Sequence, residues 1–162
     1  MRAVEELRYL ILAAQREGNR LLAQGLRALG LTPSQAEVLR ILSDHQPLTL
    51  SALGGLLVCD SGQSPSRLVD RLAGKGYIER TPSKQDRRSV ELTLTAEGSA
   101  ATAKVAEIEE DVYALIGEAL GGTDPQPLTE FLWKVVGGTV AGEALAQRRA
   151  SQQEQTNVAL HR

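Results

Sequence analysis

The sequence predicts a mainly α protein with one small β-hairpin, and three observations lead there. Aromatic residues make up only 3% of the 162 positions, so the core has to be built from Leu, Val, Ile and Ala. That composition favours packed helices over a β-sandwich. Apolar residues recur at three-four spacing through most of the chain and alternate with polar ones only between Tyr77 and Leu94. The length suits one domain with an arm, and 42% hydrophobic with 23% charged residues is an ordinary globular mix rather than a disordered one.

Residues 4 to 29 carry Val4, Leu7, Ile11 and Ala14, then Leu22, Gly25, Leu26 and Leu29, a stripe along one helical face that stops at Gly30. Thr32-Pro33-Ser34-Gln35 then has the form of a capping box with proline at the first helical position. It opens a helix over 33 to 44, with Val38, Leu39, Ile41 and Leu42 inward. After His45-Gln46-Pro47, residues 51 to 58 form a short apolar helix. The polar break from Cys59 to Gly62 leads to an amphipathic helix over 64 to 75. Its Leu68, Val69 and Leu72 lie on one face; Ser64, Arg67, Arg71 and Lys75 lie on the other. Its start is open between Ser64 with Pro65 in the first position and a longer helix capped by Ser61.

The period then changes. Tyr77 to Arg80 and Ser89 to Leu94 alternate, with polar Thr81 to Arg88 between them, which predicts a hairpin with a long basic tip. Thr95 caps a helix whose Val105, Ile108, Val112, Leu115, Ile116 and Ala119 repeat at helical spacing up to Gly121-Gly122. A last helix is expected from about Leu128, its stripe of Phe131, Leu132, Val135, Val136 and Val140 accompanied by Gly137, Gly138 and Gly142 for close approach. The tail from Arg148 is polar and expected to fray.

Several function classes fall away. No apolar run reaches the roughly 18 residues a membrane span needs, and the amino terminus lacks the plan of a secretory signal. A soluble, cytoplasmic protein is expected. No nucleophile has a plausible base and no phosphate-cradling loop occurs, so an enzyme is not expected and no catalytic residue or cofactor is assigned. His45 and His161 are the two histidines, too few for a convincing metal site. The net charge of −2 argues at first sight against nucleic acid.

The local distribution reverses that argument. Between Ser61 and Val90 seven basic residues stand against three acidic ones, so this stretch carries +4 and the rest of the chain −6. Screening over roughly 8 to 10 Å lets a basic face act independently of distant acids. The element order around it (helix, short helix, polar turn, amphipathic helix, hairpin) is that of a winged helix-turn-helix. An α-helix fits the major groove, and base edges there are read by hydroxyls, amides and arginines. Gln63, Ser64, Ser66, Arg67 and Arg71 supply that set. The hairpin tip carries Lys84, Arg87 and Arg88, and guanidinium groups suit the negative minor groove.

Arg67-Leu68-Val69-Asp70-Arg71-Leu72, then Gly76-Tyr77-Ile78-Glu79-Arg80, then Asp86-Arg87-Arg88 leading into Leu92-Thr93-Leu94-Thr95-Ala96-Glu97-Gly98, resemble the MarR family of bacterial transcriptional regulators. The resemblance covers nearly the whole chain. It implies a homodimer reading a palindromic operator on double-stranded DNA and repressing neighbouring genes until a small molecule or oxidant releases it. It divides the chain into a dimerisation helix over 1–30, a DNA-binding lobe over 31–95, dimerisation helices over 96–147 and the tail 148–162. Arg88 matches the wing arginine and Asp86 the carboxylate that holds it; Ser64 and Arg67 match positions that touch base edges. The linker from Val58 to Gln63 and Pro65 depart from the commoner pattern.

Alternatives stand beside these readings. Arg67 and Arg71 could pair with Asp70 or Glu79 on a solvated surface, where ion pairs are worth little; Arg67 is assigned to DNA and Arg71 is left between the two. Asp70, repelled by DNA, is expected to orient an arginine. Cys59 precedes a helix, whose field can lower a thiol pKa, and is retained as a redox candidate against the reading of a buried structural thiol. Phe131 and Trp133 read as core or interface residues. Tyr9, Arg16 and His45 are polar candidates for a ligand pocket. A winged-helix module that binds another protein rather than an operator is the alternative function.

Overall fold

The architecture is taken from a computed structural model, which describes residues 1–59, 62–83 and 89–160. Helix α1 spans Ala3–Leu26 and tightens into a 3-10 turn over Arg27–Leu29 before Gly30, at φ 60°, lets the chain turn back. Its second half is bound to the core through Leu22, Leu26 and Leu29. Val4, Leu10 and Ile11 in its first half stay exposed.

Helix α2, Pro33–His45, is the centre of the molecule. Its amino terminus has the expected reciprocal cap: the Gln35 amide donates to Thr32 Oγ1 at 3.3 Å, and the Thr32 amide donates to Gln35 Oε1 at 3.0 Å. Ala36, Val38, Leu39, Ile41 and Leu42 are essentially inaccessible. They meet Leu53 of α3 (Leu50–Leu56), the buried face of α4 (Pro65–Gly74) and Val105 of α5 (Ala96–Leu120) in one aliphatic cluster.

Helix α4 settles the start that the sequence leaves open. Pro65 occupies its first turn with Ser64 as the preceding residue, and Ser61 lies outside the described residues. The Ser64 hydroxyl does not cap; it sits 3.1 Å from the Ser66 hydroxyl. Leu68, Val69 and Leu72 are buried as the spacing requires.

The sheet differs from expectation in two ways. Besides the hairpin of β2 (Ile78–Pro82) and β3 (Val90–Leu94) there is a third strand, β1 (Leu48–Thr49), antiparallel to β3 with Leu48 opposite Leu92. Two residues are too short to display an alternating pattern, so β1 exists only through its partner. The Gln46 side chain continues that pairing by accepting from the Leu94 amide at 2.7 Å. Strand β2 also runs two residues past Arg80, with Pro82 opposite Val90. Proline is tolerated there because β2 is an edge strand.

The carboxyl-terminal region corrects a third expectation. The single last helix is two, α6 (Gln126–Val136) and α7 (Val140–Leu160). Gly137 and Gly138 break the stripe, Gly138 at φ 77°, and Thr139 restarts the helix by accepting from the Gly142 amide at 3.1 Å. Gly142 does serve close approach: a Cβ there would lie 2.1 Å from the Val136 carbonyl oxygen. Helix α7 takes in the polar stretch from Arg148 and runs to Leu160. Helix α7 packs on α3, with Ala144 fully buried.

Candidate nucleic-acid interface

Helix α4 is held by its apolar face, so its opposite face is presented outward by necessity. Ser64, Arg67 and Arg71 are exposed on it. Ser66 is half-buried and lines a cavity of about 260 Å³ together with Leu50, Val69, Asp70, Arg80 and Val90. Gln63 is set apart: it lines a different cavity, between α1 and the start of α2, with Asn19, Arg20, Thr32 and Cys59. Four of the five candidate recognition residues therefore share the α4 surface, and the fifth turns toward α1.

Asp70 orients an arginine as expected, but that arginine is Arg80 of β2, not Arg67 or Arg71 of its own helix. Both partners are substantially exposed, so the pair adds little to stability. It bridges the hairpin to α4 by one guanidinium–carboxylate bond. The base of the hairpin is closed by the Ser83 amide donating to the Ser89 carbonyl at 2.9 Å and the Ser83 hydroxyl to Glu91 Oε1 at 2.6 Å. The assignments to Lys84, Asp86, Arg87 and Arg88 fall on 84–88, outside the described residues.

The junction between hairpin and α5 explains Leu94-Thr95-Ala96-Glu97-Gly98 in physical terms. The Thr95 hydroxyl donates to the Gly76 carbonyl at 2.6 Å and accepts from the Gly98 amide at 2.9 Å, so one side chain caps α5 and ties it to the turn after α4. Gly98 lets that turn come close, since a Cβ on it would lie 2.0 Å from the Tyr77 carbonyl oxygen.

The surroundings of Cys59 do not supply the lowered thiol pKa on which its redox reading rests. Burial, and then the negative charge of Glu37, push it up to about 11. The cysteine is six positions ahead of α4, beyond the first turn in which a helix terminus exerts its field. Its amide donates to Glu37 Oε2 at 2.9 Å. Alkylation of Cys59 by iodoacetamide at pH 8 is expected to be at least about tenfold slower in the folded protein than in urea, because the thiolate is scarce; equal rates would contradict this environment.

Of the ligand candidates, Tyr9 and Arg16 line one groove along α1 with Leu12 and Arg20, while His45, the last residue of α2, does not line it. Among the described residues no group of three or more His, Cys, Asp or Glu side chains is placed to hold a metal ion, and no helix is long and apolar enough to cross a membrane. Sequence reasoning missed Glu37, Arg80, Arg148 and the Arg40–Glu109 ion pair of 3.0 Å. An acid embedded in the buried stripe of α2, between Ala36 and Val38, was the available signal for Glu37.

A family model for the MarR family matches residues 31–90. The multiple antibiotic resistance protein MarR of Escherichia coli strain K12 is 33% identical over 111 residues, which span 68% of this chain and 72% of that protein. The chain belongs to the MarR family. The organic hydroperoxide resistance transcriptional regulator of Bacillus subtilis is 29% identical over 136 residues, 84% of this chain and 90% of that protein. Among solved structures, a cysteine-to-serine variant of Escherichia coli MarR complexed with operator DNA aligns with a TM-score of 0.72 at 29% identity, covering 82% of this chain and 95% of that one. The fold is thus the MarR winged helix, and the protein is a transcriptional regulator that acts by binding DNA.

Proposed function

We propose that this MarR-family member works in the cytoplasm as a homodimeric repressor of neighbouring genes, with α4 in the major groove of each half of a palindromic operator and the wing in the adjacent minor groove. Ser64, Ser66, Arg67 and Arg71 read base edges and phosphates from α4, with Gln63 at its entry. Lys84, Arg87 and Arg88 act from the wing, and Asp86 orients Arg88. The observation that carries this reading is the exposed hydroxyl and guanidinium face of α4, held beside the hairpin by Asp70–Arg80.

In this reading residues 31–95 form the DNA-binding lobe, and residues 1–30 and 96–147 join two subunits. Support comes from the exposed apolar side chains of those helices: Val4, Leu10 and Ile11 on α1, Leu115 and Ile116 on α5, Leu128 and Val135 on α6. Such an accumulation is what a partner surface covers. The reading gives the chain no catalytic role, and its relatives are regulators rather than enzymes. Release follows from a small molecule that binds better to a dimer with wrongly spaced reading heads. An oxidant acting on the one cysteine fits less well, given the raised thiol pKa of Cys59.

Selection from a random duplex library by the full-length protein tests the proposal. A palindromic sequence should be enriched, and its affinity should fall with log salt at a slope of about −0.9 for each phosphate neutralised. No binding at low salt, or binding without a salt slope, would replace this reading by the protein-interaction module.

A further inference from the structure

We infer that Arg148 and Glu37 form a strut through which the last helix sets the position of the recognition helix. The inference rests on the proposed role of α4 and adds to it two positioning residues that touch no DNA. Glu37, on α2, has a side chain only 9% exposed, and its carboxylate accepts three hydrogen bonds. The Val58 amide and the Arg148 guanidinium both donate to Oε1 at 2.9 Å, and the Cys59 amide donates to Oε2 at 2.9 Å. Val58 and Cys59 lie outside any helix or strand, just past Leu57 at the end of α3, in the segment that leads to α4. Their amides need partners that regular structure does not supply, so Glu37 fixes where this segment leaves the core.

A carboxylate so deeply placed is costly unless its charge is matched. Arg148 matches it from α7, 111 residues away in sequence. The pair lies on the wall of a polar cavity of about 210 Å³ that also carries Arg40, Glu109 and Tyr113. A rotation of α7 that withdrew Arg148 would leave Glu37 holding the two amides with an unmatched buried charge, which loosens the anchor of the linker. The strut therefore transmits the placement of α7 to the start of α4.

Arg148→Met, which keeps the aliphatic stem, and Glu37→Gln test this in the full-length protein with the duplex selected by the wild type. Each is expected to lower affinity about tenfold or more without changing the salt slope, since the phosphate contacts remain. The double variant should be no worse than the poorer single one, because both remove the same coupling. Arg148→Lys should recover most of the affinity. Amide hydrogen exchange at Val58 and Cys59 should accelerate in Arg148→Met while Leu39 to Leu42 stay protected. Wild-type affinity in Arg148→Met alongside a weakened Arg67→Ala would overturn the strut and leave the reading of α4 intact. Unchanged exchange at Val58 and Cys59, or equal acceleration throughout α2, would overturn the strut even if Arg67→Ala showed the reading of α4 itself to be wrong.

Discussion

Arg88→Ala is expected to weaken binding to the selected duplex by about 2 to 6 kcal/mol, roughly thirty-fold or more, while the dimer stays intact. The magnitude comes from two steps. A well-placed arginine contact contributes about 1 to 3 kcal/mol to recognition, and a homodimer loses it twice. The arginine is placed by sequence between the paired strands β2 and β3, whose last rung is Pro82 opposite Val90. Its resemblance to the wing arginine of the family selects it over Arg87. Lys84→Ala serves as contrast: a lysine beside phosphate should lose affinity evenly across sequences and reduce the salt slope by about one. Fluorescence anisotropy at fixed salt measures both, and sedimentation checks the dimer. An Arg88→Ala protein that bound as tightly as the wild type would remove the wing from the mechanism.

Features that neighbouring residues decide among themselves are legible in the sequence. The Thr32–Gln35 cap, the Thr95 cap and the buried face of α4 are set by spacings of three or four, so sequence alone displays them. The face proposed to meet DNA is legible for the same reason, since burying Leu68, Val69 and Leu72 leaves Arg67 and Arg71 outside. Features that depend on distant partners are not. Strand β1 needs β3, Asp70 finds Arg80 rather than a residue of its own helix, and Glu37 is matched by a residue more than a hundred positions on. The break at Gly137-Gly138 is hidden because an apolar stripe continues across it to Val140, and periodicity does not register a change of axis. The position of Cys59 in the sequence suggests a helix field, whereas burial and the Glu37 carboxylate govern it.

Gly98→Ala is expected to destabilise the protein by about 3 kcal/mol, at the upper end of overpacking costs, because the neighbour it meets cannot yield. The added methyl would stand 2.0 Å from the Tyr77 carbonyl oxygen, 2.9 Å from its carbonyl carbon and 3.1 Å from its Cα, all backbone atoms. Relief requires α5 to lift from the turn after α4, which strains the bond from the Thr95 amide to the Tyr77 carbonyl at 3.1 Å and from the Thr95 hydroxyl to Gly76 at 2.6 Å. Each such hydrogen bond contributes roughly 1 kcal/mol, so the penalty is not confined to one contact. Gly76 stands two residues past the end of α4 and sits at φ 75°, a conformation that glycine adopts without strain. The displacement is therefore delivered to the end of α4, the proposed reading helix, and DNA affinity should fall together with stability. Gly55→Ala provides the opposite sign. It lies inside α3 with nothing within 4 Å of the place its methyl would take, so alanine should raise stability by up to about 1 kcal/mol through helix propensity. Urea unfolding of the two variants measures both. Equal stability of Gly98→Ala and the wild type would mean that the close approach of α5 to Tyr77 does not hold in solution.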